Sequence, residues 1–133
     1  MKKIIIAVLL VIVIVLSYRC SSSNPILGGF YQTQVNGYHI QMLIQKEDNR
    51  FIEWIDNREV DRGSYTKNDD TAYSFESDIQ NFDIELKDDN SFERIIKKVG
   101  QDKPIKMKNI SADDTTTTFG SWDDVDEYKS LLD

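Results

Sequence analysis

The sequence predicts an all-β domain: an antiparallel up-and-down barrel of about eight strands with one C-terminal helix packed outside it. Apolar and polar residues alternate along several short segments, which is the period of a strand with one buried face. Turn-forming residues separate these segments at intervals of roughly 8 to 12 residues, so consecutive strands are expected to pair antiparallel. Closure into a barrel would remove the exposed edges of such a sheet.

The first 20 residues are typical of a secretory signal. Lys2 and Lys3 precede the uninterrupted apolar run 4–16, which at ~1.5 Å per residue falls short of a ~30 Å hydrocarbon core. Cys20 follows this run and begins a serine-rich stretch, as in the lipoprotein signals of bacteria that it resembles, although Tyr18 and Arg19 stand where those signals have small residues. Lipidation of Cys20, an uncleaved signal anchor and release after cleavage are the three predicted outcomes.

The leader also sets the predicted location of the domain. By the positive-inside rule, an anchored chain keeps Lys2 and Lys3 in the cytoplasm. We therefore expect the domain at the extracytoplasmic face of the cell membrane, or secreted if the leader is removed. Residues 21–27 form a predicted tether, and the folded domain is expected over 28–133, a length that allows one hydrophobic core.

The domain behind the leader is acidic. The whole chain has a formal net charge of −7 from 16 basic and 23 acidic residues. Three basic residues, Lys2, Lys3 and Arg19, lie in the leader, so the rest of the chain carries 13 basic and 23 acidic residues, a net charge of −10. This charge opposes binding to nucleic acid and favours basic protein partners. A single cysteine excludes an intramolecular disulfide.

The strands are predicted from alternation and from the turns between them. Asn36-Gly37 is a strong hairpin signal, because both residue types tolerate positive φ. The predicted strands span 28–34, 38–46, 51–56, 60–67, 71–77, 82–87, 91–99 and 104–110. The side chains expected to face inward are Tyr38, Ile40, Met42, Ile44, Phe51 or Ile52, Tyr65, Tyr73, Phe75, Phe82, Ile84, Leu86, Phe92, Ile96, Ile105 and Met107.

The predicted strands 51–56 and 91–99 carry apolar residues on both faces, with Ile95 and Val99 on the outer face of the second, so another layer is expected to cover them. Ser121 can cap a helix whose first turn is acidic. The stripe of this helix would contain Trp122, Val125, Tyr128 and Leu132. We predict that it packs on the outer face of the barrel, over Ile52, Trp54 or Ile95.

Three short motifs carry a family resemblance. Gly29-Phe30-Tyr31 opens the first strand, Phe51 starts a strand after a polar turn, and Gly63-Ser64-Tyr65 lies in the next strand. This pattern resembles the small bacterial lipocalin-like, calycin-type domains, although Tyr31 stands where a tryptophan is common. The resemblance implies an eight-stranded barrel with a terminal helix, and it implies no particular ligand.

No catalytic constellation or cofactor motif is evident in the sequence. His39, the sole histidine, falls on the polar face of its strand, where it has no cysteine or second histidine with which to form a metal site. Acidic pairs such as Asp69-Asp70, Asp88-Asp89 and Asp113-Asp114 fall at turns, where aspartate bonds to the backbone. We predict neither an enzyme, nor a metal, nor a cofactor.

The aromatic residues are the best candidates for a ligand site. Tyr31, Tyr38, Tyr65, Tyr73 and Phe75 are predicted either to line a barrel mouth that takes a small apolar ligand or to fill the interior. The filled interior is favoured, because the inside of so short an eight-stranded barrel is filled by its own side chains.

Two functions follow from this reading. The first is a membrane-tethered binding module for a small apolar ligand or a protein partner. The alternative is an immunity or inhibitor protein that neutralises a basic toxin, bacteriocin or lytic enzyme outside the cell. In both, the domain is expected to be a monomer.

Overall fold

The chain forms a nearly closed antiparallel barrel of eight strands with one short C-terminal helix, so the predicted fold class is confirmed. The structure is a computed structural model that describes residues 25–116 and 118–133. The predicted signal segment, the Cys20 anchor site and most of the tether lie outside the described residues. Leu27, at the end of the predicted tether, is buried in the barrel core.

Seven short stretches of turn, loop or helix connect the strands. The strands are β1 (Gly29–Val35), β2 (Tyr38–Gln45), β3 (Arg50–Ile55), β4 (Arg58–Lys67), β5 (Ala72–Ser77), β6 (Asn81–Glu85), β7 (Phe92–Arg94) and β8 (Ile105–Ser111). Their order around the barrel is β6-β5-β4-β3-β2-β1-β8-β7, and every pair is antiparallel.

Two tight hairpins follow from residues that accept positive φ. Asn36 and Gly37 adopt φ of 50° and 83° between β1 and β2, and Asp56 and Asn57 adopt 48° and 68° between β3 and β4. Positive φ at both central positions is the mark of the turn whose twist matches that of the flanking strands. The predicted turn at Asn36-Gly37 is therefore present, and a second one of the same kind follows it.

The barrel closes through a pairing that a simple meander does not require. β1 pairs with β8, with Tyr31 opposite Asn109 and Gln32 opposite Lys108. By contrast, β6 and β7, which are consecutive in the chain, share no ladder. We call the junction between β6 and β7 the seam.

The predicted strand 91–99 is wrong in its second half. β7 ends at Arg94, and Lys97–Gly100 form a short helix, α1. Val99 was expected on the outer face, but in α1 it is buried against the core, and its carbonyl accepts a 2.8 Å hydrogen bond from Asn36 Nδ2. α1 therefore helps to close one end of the barrel.

The turns lie alternately at two ends of the barrel. One end holds the β1–β2 and β3–β4 turns, α1 and the C-terminal helix, and we call it the helix end. The other holds the turns 46–49, 68–71 and 86–91 and the exit of β8, and we call it the loop end.

The C-terminal helix is shorter than predicted and lies elsewhere. It begins at Val125 rather than after Ser121, as α2 (Val125–Lys129), and a 3-10 turn over Ser130–Leu132 follows it. Tyr128, Leu131 and Leu132 pack against the main core at the helix end. The helix does not cover the outer apolar face, and Ile95 is 55% exposed.

An extended segment covers that outer face instead. Residues 112–116 and 118–124, which we call the strap, lie between β8 at the loop end and α2 at the helix end. The Phe119 ring packs edge-on against Trp54 at 5.4 Å. The outer apolar cluster consists of Leu43, Ile52 and Trp54, with Phe30 and Phe119 packed against it.

One arginine fixes the start of α2. The Arg58 guanidinium bonds both carboxylate oxygens of Asp124 at 2.8 and 2.9 Å. It also lies 3.9 Å from the Trp122 ring centroid and 4.6 Å from that of Tyr128. Hydrogen bonding to Asp124 raises the pKa of Arg58 and lowers that of Asp124. These contacts place α2 at the helix end, because Arg58 begins β4 there.

Gly63 is required by close packing rather than by its φ. A Cβ at this position would lie 2.1 Å from the carbonyl oxygen of Glu76 on β5 and 2.9 Å from the Phe51 ring. Both distances are shorter than van der Waals contact. The glycine of the Gly63-Ser64-Tyr65 motif thus lets β4 approach β5 and the interior.

Candidate functional site

The interior near the loop end is filled with aromatic rings. Four of the five predicted ligand residues, Tyr31, Tyr65, Tyr73 and Phe75, are buried there. Tyr65 lies 6.1 Å from Tyr73 and 5.6 Å from Phe75, measured between ring centroids. Further rings complete the stack, namely Phe51, Phe82 and Phe92. These side chains contact one another, so they occupy the space in which a ligand would sit.

Tyr31 illustrates how closely this half is packed. Its side chain is fully buried, and its ring lies 5.0 Å from that of Phe92. Burial raises the pKa of the hydroxyl to about 12. The neutral hydroxyl donates to Asn90 Oδ1 at 3.3 Å and accepts from the Gly28 amide at 3.4 Å. Tyr31 therefore ties β1 to the β6–β7 turn from inside.

Tyr38 does not join the other four predicted residues. It lies at the helix end, half-buried, beside a surface depression that it shares with Asp124, Glu127, Tyr128 and Leu131. The structure thus divides the predicted site into a buried group at one end and a single tyrosine at the other. Whether any of the five binds a ligand stays a prediction.

The interior near the helix end holds a buried ionic cluster that the sequence reading did not identify. Glu53 and Arg94 are 0% and 5% exposed, and Arg94 Nη1 lies 2.7 Å from Glu53 Oε1. Gln80 connects them, because its Nε2 donates to Glu53 Oε2 at 3.0 Å and its Oε1 accepts from Arg94 Nη2 at 2.8 Å. The Arg94 guanidinium also stacks 3.9 Å from the Phe82 ring centroid.

Asp61 extends this cluster with a second carboxylate. Its Oδ2 accepts from Gln80 Nε2 at 2.6 Å and from the Ser77 hydroxyl at 2.8 Å, and its Oδ1 accepts from the Arg62 amide at 2.8 Å. Every oxygen of Asp61 thus has a donor, as burial demands. The cluster joins β3, β4, β5, β7 and the β5–β6 turn inside the barrel.

A sequence signal for this cluster exists. Glu53 is two residues from both Phe51 and Ile55 on β3, and Arg94 is two residues from Phe92 on β7. Each charged residue therefore shares the inward face of its strand with apolar neighbours. Opposite charges at two inward positions predict a buried ion pair, because an unpaired buried charge is too costly.

The loop end is rimmed by carboxylates. We call the following eight residues the acidic rim: Glu47, Asp48, Asp69, Asp70, Asp88, Asp89, Asp113 and Asp114. Asp69, Asp89 and Asp113 each bond the backbone two residues on, as predicted for aspartates at turns. Hydrogen bonds from Ser91, and next from Lys106, lower the pKa of Asp89 to about 2.

A depression of about 500 Å³ lies at the loop end of the seam. Its lining residues are Thr71, Glu85, Leu86, Lys87, Asp88 and Glu93. A second depression, of about 230 Å³, lies between the outer face of the β3–β4 hairpin and the strap, and Trp54, Arg62 and Phe119 contribute to it. Neither is lined by the interior aromatic residues, so both are surface features.

His39 is half-buried on the outer face of β2, where its Nε2 lies 3.3 Å from Gln32 Oε1. Among residues 25–116 and 118–133, no three histidine, cysteine, aspartate or glutamate side chains come together as metal ligands. No helix in that part of the chain is long and apolar enough to cross a membrane.

Comparison with protein-family models, curated proteins and solved structures finds no match to this chain.

Proposed function

We propose that this domain is a non-enzymatic binding module that recognises a basic protein partner through its surface, with a lipocalin-like barrel as the scaffold. The observation that carries the proposal is the filled interior. Tyr31, Phe75 and Phe92 occupy the loop half, and the Glu53–Arg94 pair occupies the helix half. A barrel filled along its axis leaves its outer surface for recognition.

The charge of that surface supports a basic partner. The chain beyond the leader has a net charge of −10. Glu47, Asp48 and Asp70 of the acidic rim are exposed and have no hydrogen-bond partner among the described residues. Free carboxylates on an acidic protein accelerate the encounter with a basic partner and repel acidic ones.

The leader supports a location for this encounter. We propose that the signal segment, with or without lipidation of Cys20, presents the domain at the extracytoplasmic face of the membrane. A basic toxin, bacteriocin or lytic enzyme is a partner that such a position would intercept. In that case the domain acts as an immunity or inhibitor protein. Support for this role is the leader sequence, the small size and the acidic surface.

An affinity experiment tests the proposal. Full-length chain in neutral detergent is immobilised and exposed to the secreted and envelope proteins of the producing cells. We expect one basic protein to be retained at low salt and released as the salt concentration rises, because exposed charges are screened over a Debye length of ~10 Å at 0.1 M.

Charge-reversed variants provide the matched control. Glu47→Lys/Asp48→Lys/Asp70→Lys should weaken retention about tenfold or more, since rim charges set the association rate. Asp123→Lys/Asp126→Lys/Glu127→Lys makes the same charge change at the helix end and should weaken it less. Failure to retain any protein, or retention that ignores salt, would contradict the proposal.

A panel of hydrophobic ligands tests the small-ligand function predicted from the sequence. Since Tyr31, Phe75 and their neighbours fill the interior, a fluorescent fatty-acid analogue should leave the melting temperature unchanged. A clear rise would show that the interior opens to ligands, and the proposal would then be wrong about the scaffold.

A further inference from the structure

β6 presents a free backbone edge at the seam. Leu86 donates its amide to Thr71 O at 2.7 Å, and Gln80 O accepts from the Ser77 amide at 3.0 Å. In an antiparallel pair, backbone groups of alternate residues point to the same neighbour. The backbone groups of residues 80, 82, 84 and 86 therefore face β5, and those of Asn81, Asp83 and Glu85 face the seam.

No strand uses this edge within the described chain. Among residues 25–116 and 118–133, no backbone hydrogen bond joins β6 to β7, and only the turn between them is closed, by the Lys87 amide and Ser91 O at 2.8 Å. An unpaired row of amides and carbonyls is a template for another strand. A strand added along β6 would break no ladder bond of the barrel, but β7 would have to move away from β6, which would break the Arg94–Gln80 and Lys87–Glu93 contacts.

The seam is held together from inside by side chains. Arg94 of β7 contacts Phe82 of β6 and bonds Gln80, next to β6. Its Nε is buried and has no hydrogen-bond partner in the part of the chain that the structure describes. A buried donor without a partner is uncommon in folded proteins. In the described chain, the seam thus contains two kinds of polar group without hydrogen bonds: the outward-facing backbone groups of β6 and the Nε of Arg94.

The outer side of the seam is acidic. The side chains of Asp83 and Glu85 are exposed on β6, and Glu93 is exposed on β7, where it pairs with Lys87 at 2.9 Å. The depression of about 500 Å³ includes Glu85 and Glu93, and it opens where β6 ends and β7 begins. The unpaired backbone edge of β6, the depression and the exposed carboxylates thus lie next to one another along the outer side of the seam.

We propose that the seam is the docking site for an extended, basic segment of the protein partner, which adds to the free edge of β6 as a strand. This inference rests on the proposed function and adds the part of the surface that binds. Backbone bonds to Asp83 and Glu85 would supply affinity, and lysine or arginine at alternate positions would meet the carboxylates.

Charge selects this occupant over a second copy of the chain. Pairing of two β6 edges would bring Asp83 and Glu85 of one copy against the same residues of the other, in a domain of net charge −10. Like charges directly opposite each other on paired strands are destabilising. An alternating basic and apolar segment has no such conflict.

The test uses a peptide of alternating lysine and valine as the probe, with full-length protein in neutral detergent. We expect binding, measured by fluorescence anisotropy, and a tenfold or greater slowing of hydrogen exchange at the amides of Asn81, Asp83 and Glu85. A peptide of alternating glutamate and valine should not bind. Dimerisation through the seam without peptide binding would overturn the inference.

Two variants separate backbone pairing from charge. Asp83→Pro removes a seam-facing amide and one carboxylate while leaving the β5–β6 ladder, so it should weaken peptide binding tenfold or more, and by more than Asp83→Asn, which removes only the charge. Ser74→Pro lies directly opposite on β5 and faces β4. Provided that it folds, as circular dichroism will show, it should keep the affinity. Glu85→Lys should weaken binding as much as Asp83→Pro does.

The outcomes distinguish this inference from the proposed function. In one outcome, the basic partner from the affinity experiment binds Asp83→Pro and wild type equally, and it slows hydrogen exchange at amides outside the seam. The seam is then not the site, although the proposed function stands. If neither the lysine–valine peptide nor any basic protein binds, both ideas fail.

Discussion

The two junctions that close this barrel are built from different bonds. β1 and β8, which are far apart in the chain, pair through backbone, with Gln32 opposite Lys108. β6 and β7, joined by one short turn, share no ladder and are connected inside by Arg94. The comparison shows that sequence proximity does not guarantee pairing. A side chain that reaches across the interior can take the place of a ladder.

The difference has an energetic consequence. A ladder distributes its stability over several bonds, each worth about 1 kcal/mol net. The seam relies instead on one buried side chain, Arg94 of β7, which contacts Phe82 and Gln80 and pairs with Glu53 of β3 at 2.7 Å. The seam should therefore be sensitive to a single substitution and, on its outer side, tolerant of changes that would disrupt a ladder.

The largest effect should come from Arg94→Met. This change leaves Glu53 buried without its cation and should reduce the free energy of unfolding by about 3 to 5 kcal/mol. Urea denaturation of the full-length protein measures it. Adding Glu53→Met should recover much of the loss, because the unpaired charge is then removed. A loss below about 1 kcal/mol for Arg94→Met would refute the role given to this pair.

A pair of prolines compares the seam edge with a ladder directly. Ser74 and Asp83 are opposite each other and share a 2.7 Å side-chain bond, so either proline breaks that bond. Only Ser74→Pro also removes a ladder amide, the one that faces β4. It should cost about 1 to 3 kcal/mol more than Asp83→Pro. Equal losses in urea denaturation would mean that the edge of β6 is paired.

Phe119→Ala tests whether the strap contributes to the seam. The lost contact with Trp54, 5.4 Å between ring centroids, should lower the free energy of unfolding by about 1 kcal/mol. Hydrogen exchange should accelerate around the outer cluster on β2 and β3 and stay unchanged on β6. If the β6 amides also accelerate, the strap and the seam are coupled.

The smallest effect concerns acid stability at the turn that bridges the seam. The pKa of Asp89 is lowered from 3.8 to about 2 by Ser91 and Lys106. Its stabilising contribution is therefore present above pH ~4 and is lost as the pH falls from about 4 to about 2. Asp89→Asn should have a lower melting temperature than wild type at pH 5, and the difference should shrink at pH 2. A constant difference would contradict this account.

The local parts of the fold were predictable because their signals are local. The strand Tyr38–Gln45 was predictable because its apolar and polar residues alternate with the period of a strand. The turn at Asn36-Gly37 was predictable because both residue types tolerate positive φ. The strand Phe92–Arg94 is shorter than the predicted range 91–99, because a short run rich in isoleucine and valine also fits a helical turn such as Lys97–Gly100.

The non-local parts were harder to predict, for physical reasons. Glu53 and Arg94 are 41 residues apart, and only the closed barrel brings them together. The position of α2 depends on the Arg58–Asp124 contact, which overrides the apolar stripe from Trp122 to Leu132. The aromatic candidates were predicted either to line a barrel mouth or to fill the interior, and which of these occurs depends on the diameter of the closed barrel.

Hydrogen exchange along β6, measured by NMR on the full-length protein without partner, tests the unpaired seam most directly. We expect the amides of Asp83 and Glu85 to exchange about 100-fold or more faster than those of Ile84 and Leu86, which are bonded to β5. Protection of Asp83 and Glu85 equal to that of Ile84 and Leu86 would show that β6 is paired on both sides. The seam would then not exist as described.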